Sequence, residues 1–214
     1  EQFLPQIIED MDMPTTDGIN TWFISKYAHE DGLKAVLSGV GADELFGGYP
    51  SFSRIKYLKT LRKFDPITFR AAKYFTSGRY KKIAFLAYNH PLADYLLLRG
   101  HYTPADIASL LETSLLHVED ILFNDKPLPN ITRYDEADAA WFETNLYMQN
   151  QLLRDTDVMG MSHGLEVRVP FLDEDFKRLV ENIELGVRFN SHMPKKLLID
   201  SFADILPRAI WDRS

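Results

Sequence analysis

Two short runs are the only segments of this 214-residue chain that read as strands. The first, Leu33-Lys34-Ala35-Val36-Leu37, is typical of a buried strand and stops at Ser38-Gly39-Val40-Gly41. The second is Glu166-Val167-Arg168-Val169. Parallel sheets are covered on both faces and joined by long crossovers, so two strands cannot make a complete one. Either the chain is a mostly helical domain, or its small α/β remnant belongs to a sheet whose other strands lie upstream.

The rest of the pattern is helical. A turn-rich entry at residues 12–17 leads into Ile19, Trp22, Phe23 and Tyr27 at helical spacing, with Thr16 or Asp17 as cap and Gly32 as left-handed terminator. After Tyr49 the spacing predicts helices over 53–62, 67–75, 80–88, 92–98 and 104–111. The longest runs over 134–154, with Ala139, Phe142, Leu146 and Leu153 on one face. Two more, over 173–182 and 194–202, close the chain. This grammar divides it into residues 1–49, the end of an α/β part, and residues 50–214, a helical part. Pro127 and Pro129 around Leu128 mark the clearest loop.

Composition removes several function classes. With 24 basic and 31 acidic side chains the net charge is −7, which argues against binding nucleic acid or an anionic membrane. No apolar run approaches the roughly 18 residues that span a bilayer. Cysteine is absent, which excludes disulfides, a thiol nucleophile and a Cys-ligated zinc, and makes a reducing cytoplasm the simplest compartment. The sequon Asn130-Ile131-Thr132 reads as chance in such a setting. Glu1-Gln2-Phe3 is neither an initiator Met nor a signal peptide, so the expectation is a segment cut from a longer protein.

Chemistry concentrates in three segments. In the first, residues 37–49, the strand ends in two glycines spaced by one residue and a helix starts at Ala42 or Asp43. Such a loop lets a ligand approach the backbone, and ligands of α/β sheets sit beyond the carboxyl ends of strands. Asp43 and Glu44 would repel bare phosphate but suit phosphate carried with Mg²⁺; the same residues also fit an ordinary strand-to-helix turn with acids in its first turn. The second segment, residues 155–173, carries Asp157, His163, Glu166 and Arg168. Glu166 and Arg168 share one face of an extended stretch, where they could orient a substrate or form a buried ion pair. His163 has no second His at ligand spacing and reads as a packed side chain. In the third, Pro194-Lys195-Lys196 places two lysines where a helix dipole prefers acids. That reversal fits a lysine, Lys195, kept for a phosphate, with Lys196 in solvent.

LSGVGADELFGGYPSF, then LLRDTDVMGMSHGLEVRVPFLD, then MPKKLLIDSF resembles, in this order, the synthetase domain of the glutamine-dependent asparagine synthase family. The resemblance runs from Met13 to Phe202. It implies an adenine-nucleotide α-hydrolase-like fold (a PP-loop ATPase, Rossmann-like) with a large helical C-terminal portion. It also implies that Mg·ATP activates a carboxylate, aspartate in the type case, as an acyl-adenylate. Ammonia derived from glutamine in a covalently linked glutaminase domain then displaces AMP. By motif position Asp43 matches the metal-binding aspartate, and Ser38, Gly39, Val40 and Gly41 match the nucleotide and pyrophosphate loop. Lys195 matches the lysine on the phosphates and adenylate. Glu44, Asp157, Glu166 and Arg168 match further motif positions that order the pocket.

Two departures shape the expectation. The family's S-G-G-x-D-S loop does not occur in the chain and is expected upstream, with the glutaminase domain, so the chain alone is expected not to turn over. Position 40 holds valine where well-characterised members resemble one another in carrying an acid, and ring-forming relatives a tyrosine. Valine cannot move a proton, which opens a second reading: an amidotransferase for another carboxylate, in a sugar- or peptide-linked pathway. A third reading is a non-catalytic helical binding module. Apolar surface left where absent strands would pack allows association as a homodimer.

Overall fold

The computed structural model describes residues 2–75, 77–124, 128–190 and 192–212; Pro127 of the expected loop and Glu1 lie outside the described residues. Its two strands, β1 (Ala35–Leu37) and β2 (Glu166–Arg168), pair in parallel with Val36 opposite Val167. The ladder extends by one bond at each end, Glu166 N–H to Lys34 O at 2.9 Å and Ser38 N–H to Arg168 O at 2.8 Å. The helix Leu153–Met161 packs beside β2. Its Gly160 allows that approach, since a Cβ there would lie 3.0 Å from Leu165 O and 3.2 Å from a Val167 methyl. The expectation of a buried strand is corrected: Leu37 is 76% exposed and Leu33 is exposed as well. Two strands among the described residues leave that side of the ladder uncovered.

The chain forms two compact units, residues 1–49 with 140–214, and residues 50–139. In the first, the helix Asp17–Glu30 packs on Leu153–Met161, burying Trp22 and Met159 with Ile7. The Trp22 indole N–H donates to Asp10 Oδ2 at 2.6 Å, which satisfies the one polar atom of an otherwise enclosed ring. Gly32 ends this helix region with φ +81°, as the pattern predicts.

Residues 136–161 run helical throughout, but Glu143–Leu152 is π-helical, and Leu153 N–H donates to Met148 O five residues back. The wider turn rotates the buried face. Ala139 and Phe142 of the expected stripe are buried, Leu146 and Leu153 only half so, and Glu143 and Met148 are buried in their place. The last predicted helix also shifts. It spans Lys196–Ser201, with Lys195 outside it in the left-handed backbone region at φ +57°.

The second unit is a set of short helices: Pro50–Leu61, Pro66–Tyr74, Gly78–Lys81, Lys82–Ala87, Pro91–Arg99, Pro104–Leu110 and Leu115–Phe123. Pro66–Tyr74 and Lys82–Ala87 are 3₁₀, and Leu115–Phe123 has no counterpart in the sequence reading. Ile55, Leu58, Phe85, Leu86 and Ala93 are nearly or fully buried. Arg62 ties three of these elements. Its guanidinium donates to Asp94 Oδ1 from Nε at 2.8 Å and Nη2 at 2.5 Å, and from Nη1 to the carbonyls of Leu86 and Tyr88, each at 3.0 Å. Tyr134 O–H completes Asp94 at 3.2 Å. Burial still pushes the Asp94 carboxyl up, against the pull of Arg62.

Removing one partner strands the other charge in the interior, which costs about 3–5 kcal/mol. Arg62→Ala should therefore lower the urea midpoint sharply. Arg178→Ala, whose pairs with Glu174 and Asp175 are exposed, should leave it unchanged within error, as circular dichroism would record.

Candidate functional site

The site begins where β1 ends. Val40 N–H donates to Ser38 Oγ at 3.3 Å and Ala42 N–H to Gly39 O at 3.1 Å, closing a tight turn. Gly41, at φ +99°, opens the helix Ala42–Phe46. A side chain there would meet Leu172 Cδ2 at 2.7 Å and Phe171 Cβ at 3.0 Å, so Gly41 is required by both conformation and space. Nothing lies within 4 Å of the corresponding position on Gly39, which faces open space.

Glu44 is buried in this turn. Its carboxylate accepts from Gly41 N–H at 3.1 Å and from Tyr49 O–H at 3.0 Å. Burial pushes its pKa up, with a further rise from Asp43, and the hydrogen bonds offset only part of this. Tyr49 is pushed up as well, by burial and by the carboxylates of Glu44 and Asp43. Glu44 therefore clasps the start of the short helix to its exit.

Asp43 points elsewhere, to Lys195, with Nζ to Oδ1 at 2.8 Å and both side chains about one-third exposed. Two backbone features place the pair. Lys195 N–H donates to Phe46 O at 3.2 Å, and a Cβ on Gly48 would lie 1.6 Å from Asp43 Oδ1. Buried Arg188 donates from Nε to Leu45 O at 2.6 Å, satisfying the far end of the helix. Leu45 and Phe46 pack with Val180 against Phe176 and Leu197.

A cavity of about 660 Å³ lies against this corner. Gly39, Val40, Asp43, Glu44, Tyr49 and Lys195 line one part; Leu152, Phe171, Leu198, Ile199 and Trp211 line an apolar part. The fold thus brings Gly39, Val40, Asp43, Glu44 and Lys195 to one cavity, while Ser38 and Gly41 shape the turn beneath them. Phe171 is the middle segment's contribution; Asp157, Glu166 and Arg168 are not brought there. Arg168 Nε donates to Glu166 Oε1 at 2.9 Å with both side chains over 60% exposed, so the alternative of a buried ion pair is corrected. Each strengthens the other's charged form, lowering the Glu166 pKa and raising that of Arg168. Asp157 is exposed on the helix Leu153–Met161 and does not line the cavity. His163 packs its ring edge-on to Trp22 at 4.6 Å, and burial lowers its pKa.

Sequence reading missed three residues. Asp155, not Asp157, is the buried acid of its helix, accepting from Thr15 Oγ1 at 2.8 Å, with its pKa raised by burial. Its spacing of four from buried Met159 was the available signal. Tyr49 could have been found as the hydroxyl five residues after an acid that needs a donor. Trp211 carried no signal, lying beyond the last periodic segment.

The asparagine synthase family model matches residues 1–214. Glutamine-hydrolyzing asparagine synthetase 1 of Bacillus subtilis (strain 168) is 25% identical over 240 aligned positions, covering 98% of this chain and 34% of the relative. Its asparagine synthetase 3 is 28% identical, covering 94% and 28%. The amidase chry2 of Gibberella zeae is 23% identical, covering 85% and 31%. The chain belongs to the asparagine synthase family. It spans about a third of the length of the curated relatives it matches. No solved structure matches it.

Any side chain at position 48 should displace Asp43 from Lys195. Gly48→Ala is expected to cost about 1–3 kcal/mol, whereas Gly39→Ala, which meets nothing, should stay within about 0.5 kcal/mol in urea titrations. Glu44 gives a pH test. Its folded-state pKa lies above the unfolded one, so the folded protein holds that proton more tightly. The stability it contributes is present at acid pH and is lost as pH rises through the elevated pKa. Unfolding titrations from acid to neutral pH should show Glu44→Gln gaining on the parent protein as pH rises, by at most about 1.4 kcal/mol per pH unit.

Proposed function

We propose that this chain is the nucleotide-handling segment of an ATP-dependent, amide-forming ligase, which activates a carboxylate as its acyl-adenylate for attack by glutamine-derived ammonia. The reading rests on one observation: Asp43 and Lys195, from distant parts of the chain, meet at 2.8 Å on the wall of a cavity just beyond β1. It takes the segment as part of an adenine-nucleotide α-hydrolase-like synthetase in the cytoplasm. The glutaminase domain would supply the ammonia.

The donor set can be tested against the implied metal. Among the described residues no group of three or more His, Asp or Glu could hold an ion. Mg²⁺ is commonly held by one or two carboxylates with substrate phosphates and water, so Asp43 fits an ion that arrives with its nucleotide. That ion would supply neutralisation of phosphate charge. Lys195 does the complementary work. Asp43 and Lys195 neutralise each other, and nucleotide binding would exchange partners, the carboxylate turning to the metal and the ammonium to the phosphates. Lys195 then stabilises negative charge on the departing pyrophosphate. Gly39, without a side chain, keeps the loop open to the phosphates, and Ser38 and Gly41 hold its shape. Glu44 keeps Asp43 at the cavity edge by clasping the helix. Glu166, Arg168 and Asp157 would take part only through substrate or chain that reaches their exposed face.

Val40 supports the second reading, another carboxylate acceptor. It lines the cavity and offers no group that could accept the proton ammonia loses on attack.

The test uses the full-length protein with Mg·ATP, aspartate and ammonia, following pyrophosphate release. Aspartate-dependent release that falls about 10²–10³-fold in Lys195→Ala and Asp43→Ala is the expected result. The 214-residue chain alone should give none. No release with aspartate, from protein that still binds Mg·ATP, would select the second reading; release unaffected by both substitutions would reject the assignment.

A further inference from the structure

The second unit holds a cavity of about 570 Å³ of its own, within the size range of small-molecule sites. It lies among the helix Pro50–Leu61, the segments Gly78–Lys81 and Lys82–Ala87, and the helix Pro91–Arg99. Buried Leu58 and Leu98 belong to its lining, and the exposed rings of Tyr57 and Tyr80 stand at its edge. Two cations complete it, Arg54 and Lys82.

Those cations differ from their neighbours. Lys56 pairs with Glu136 at 2.7 Å, Arg62 with Asp94, and Lys81 with Asp106 at 3.4 Å. Among the described residues neither Arg54 nor Lys82 has an ion pair, in a chain with 31 acids to 24 bases. Lys82 is half-buried, and burial together with the charge of Arg54 lowers its pKa. Two cations left facing one apolar cavity repel each other, and an anion seated beside both would relieve repulsion and desolvation together.

We infer that this cavity binds a small amphipathic anion, a carboxylate, sulfonate or phosphate monoester carried on an aliphatic or aromatic body. Arg54 and Lys82 take the head group, and the leucines and tyrosines take the body. None of the residues proposed for adenylation lies in this unit, so the inference stands independently of that reading.

Isothermal titration of the protein with octanoate, octylammonium and acetate tests both halves. Octanoate should bind, and acetate and octylammonium should bind at least about tenfold more weakly. Arg54→Gln and Lys82→Gln should each weaken octanoate by roughly tenfold, the loss of one charge-assisted contact. Arg54 is exposed, so its variant should keep the parent melting temperature and separates ligand loss from misfolding. Octanoate affinity unchanged in both variants, octylammonium binding as tightly as octanoate, or no octanoate binding would each overturn the proposal.

Discussion

Where Asp43 and Lys195 meet depends on how the short helix between Gly41 and Gly47 is held in place. A five-residue helix, Ala42–Phe46, has little stability of its own, because nucleating a helical turn is unfavourable. It persists because each end is held from outside. Glu44 closes its start on Gly41 and Tyr49, Arg188 satisfies Leu45 O, and the Lys195 amide takes Phe46 O. Leu45 and Phe46 add an apolar anchor with Val180. An exposed ion pair is worth little by itself. Here the backbone and buried contacts fix where the two charges sit, and the pair is their consequence.

That dependence explains which glycines matter. Gly41 must take a positive φ and sit against Phe171 and Leu172, while Gly48 must leave room for the Asp43 carboxylate. Gly39 meets no such demand. The G-x-G pattern therefore mixes two physical roles, one glycine for packing and one for access. Lys195 adds a non-glycine residue in the left-handed region, a conformation that costs energy and is held by its neighbours.

What the sequence made legible follows from locality. The strand–glycine–helix unit at residues 35–46 and the Gly32 terminator depend on nearest neighbours, and both were readable. The 3₁₀ segments and the π-helical stretch were not, because apolar spacing does not distinguish helix types and tertiary contacts decide among them. The π stretch in turn explains why Leu146 and Leu153 fell short of burial. The bounds of the last helix shifted for a related reason: Lys195 is its N-cap and not a first-turn residue, so it still stands at the positive end of the helix dipole. Asp155 and Asp157 are two residues apart, and packing on the helix Asp17–Glu30 puts Asp155, on the face of Met159, inside. The return of the chain at residue 140 to the first unit has no shift in composition to mark it.

Within the 660 Å³ cavity the titratable groups divide into two sets. Glu44 and Tyr49 bind each other, and burial pushes both toward their neutral forms. Asp43 and Lys195 remain about one-third exposed and oppositely charged. Only the second set can change partners without breaking the loop, because the first set holds the loop together. A polyanion that brings its own cation exchanges with such a pair at little net electrostatic cost, while a bare anion would leave Asp43 unpaired beside it. On the function proposed above, that charge arrangement would suit a metal-complexed phosphate better than a free one, through two residues that precede and follow residues 50–139 in the chain.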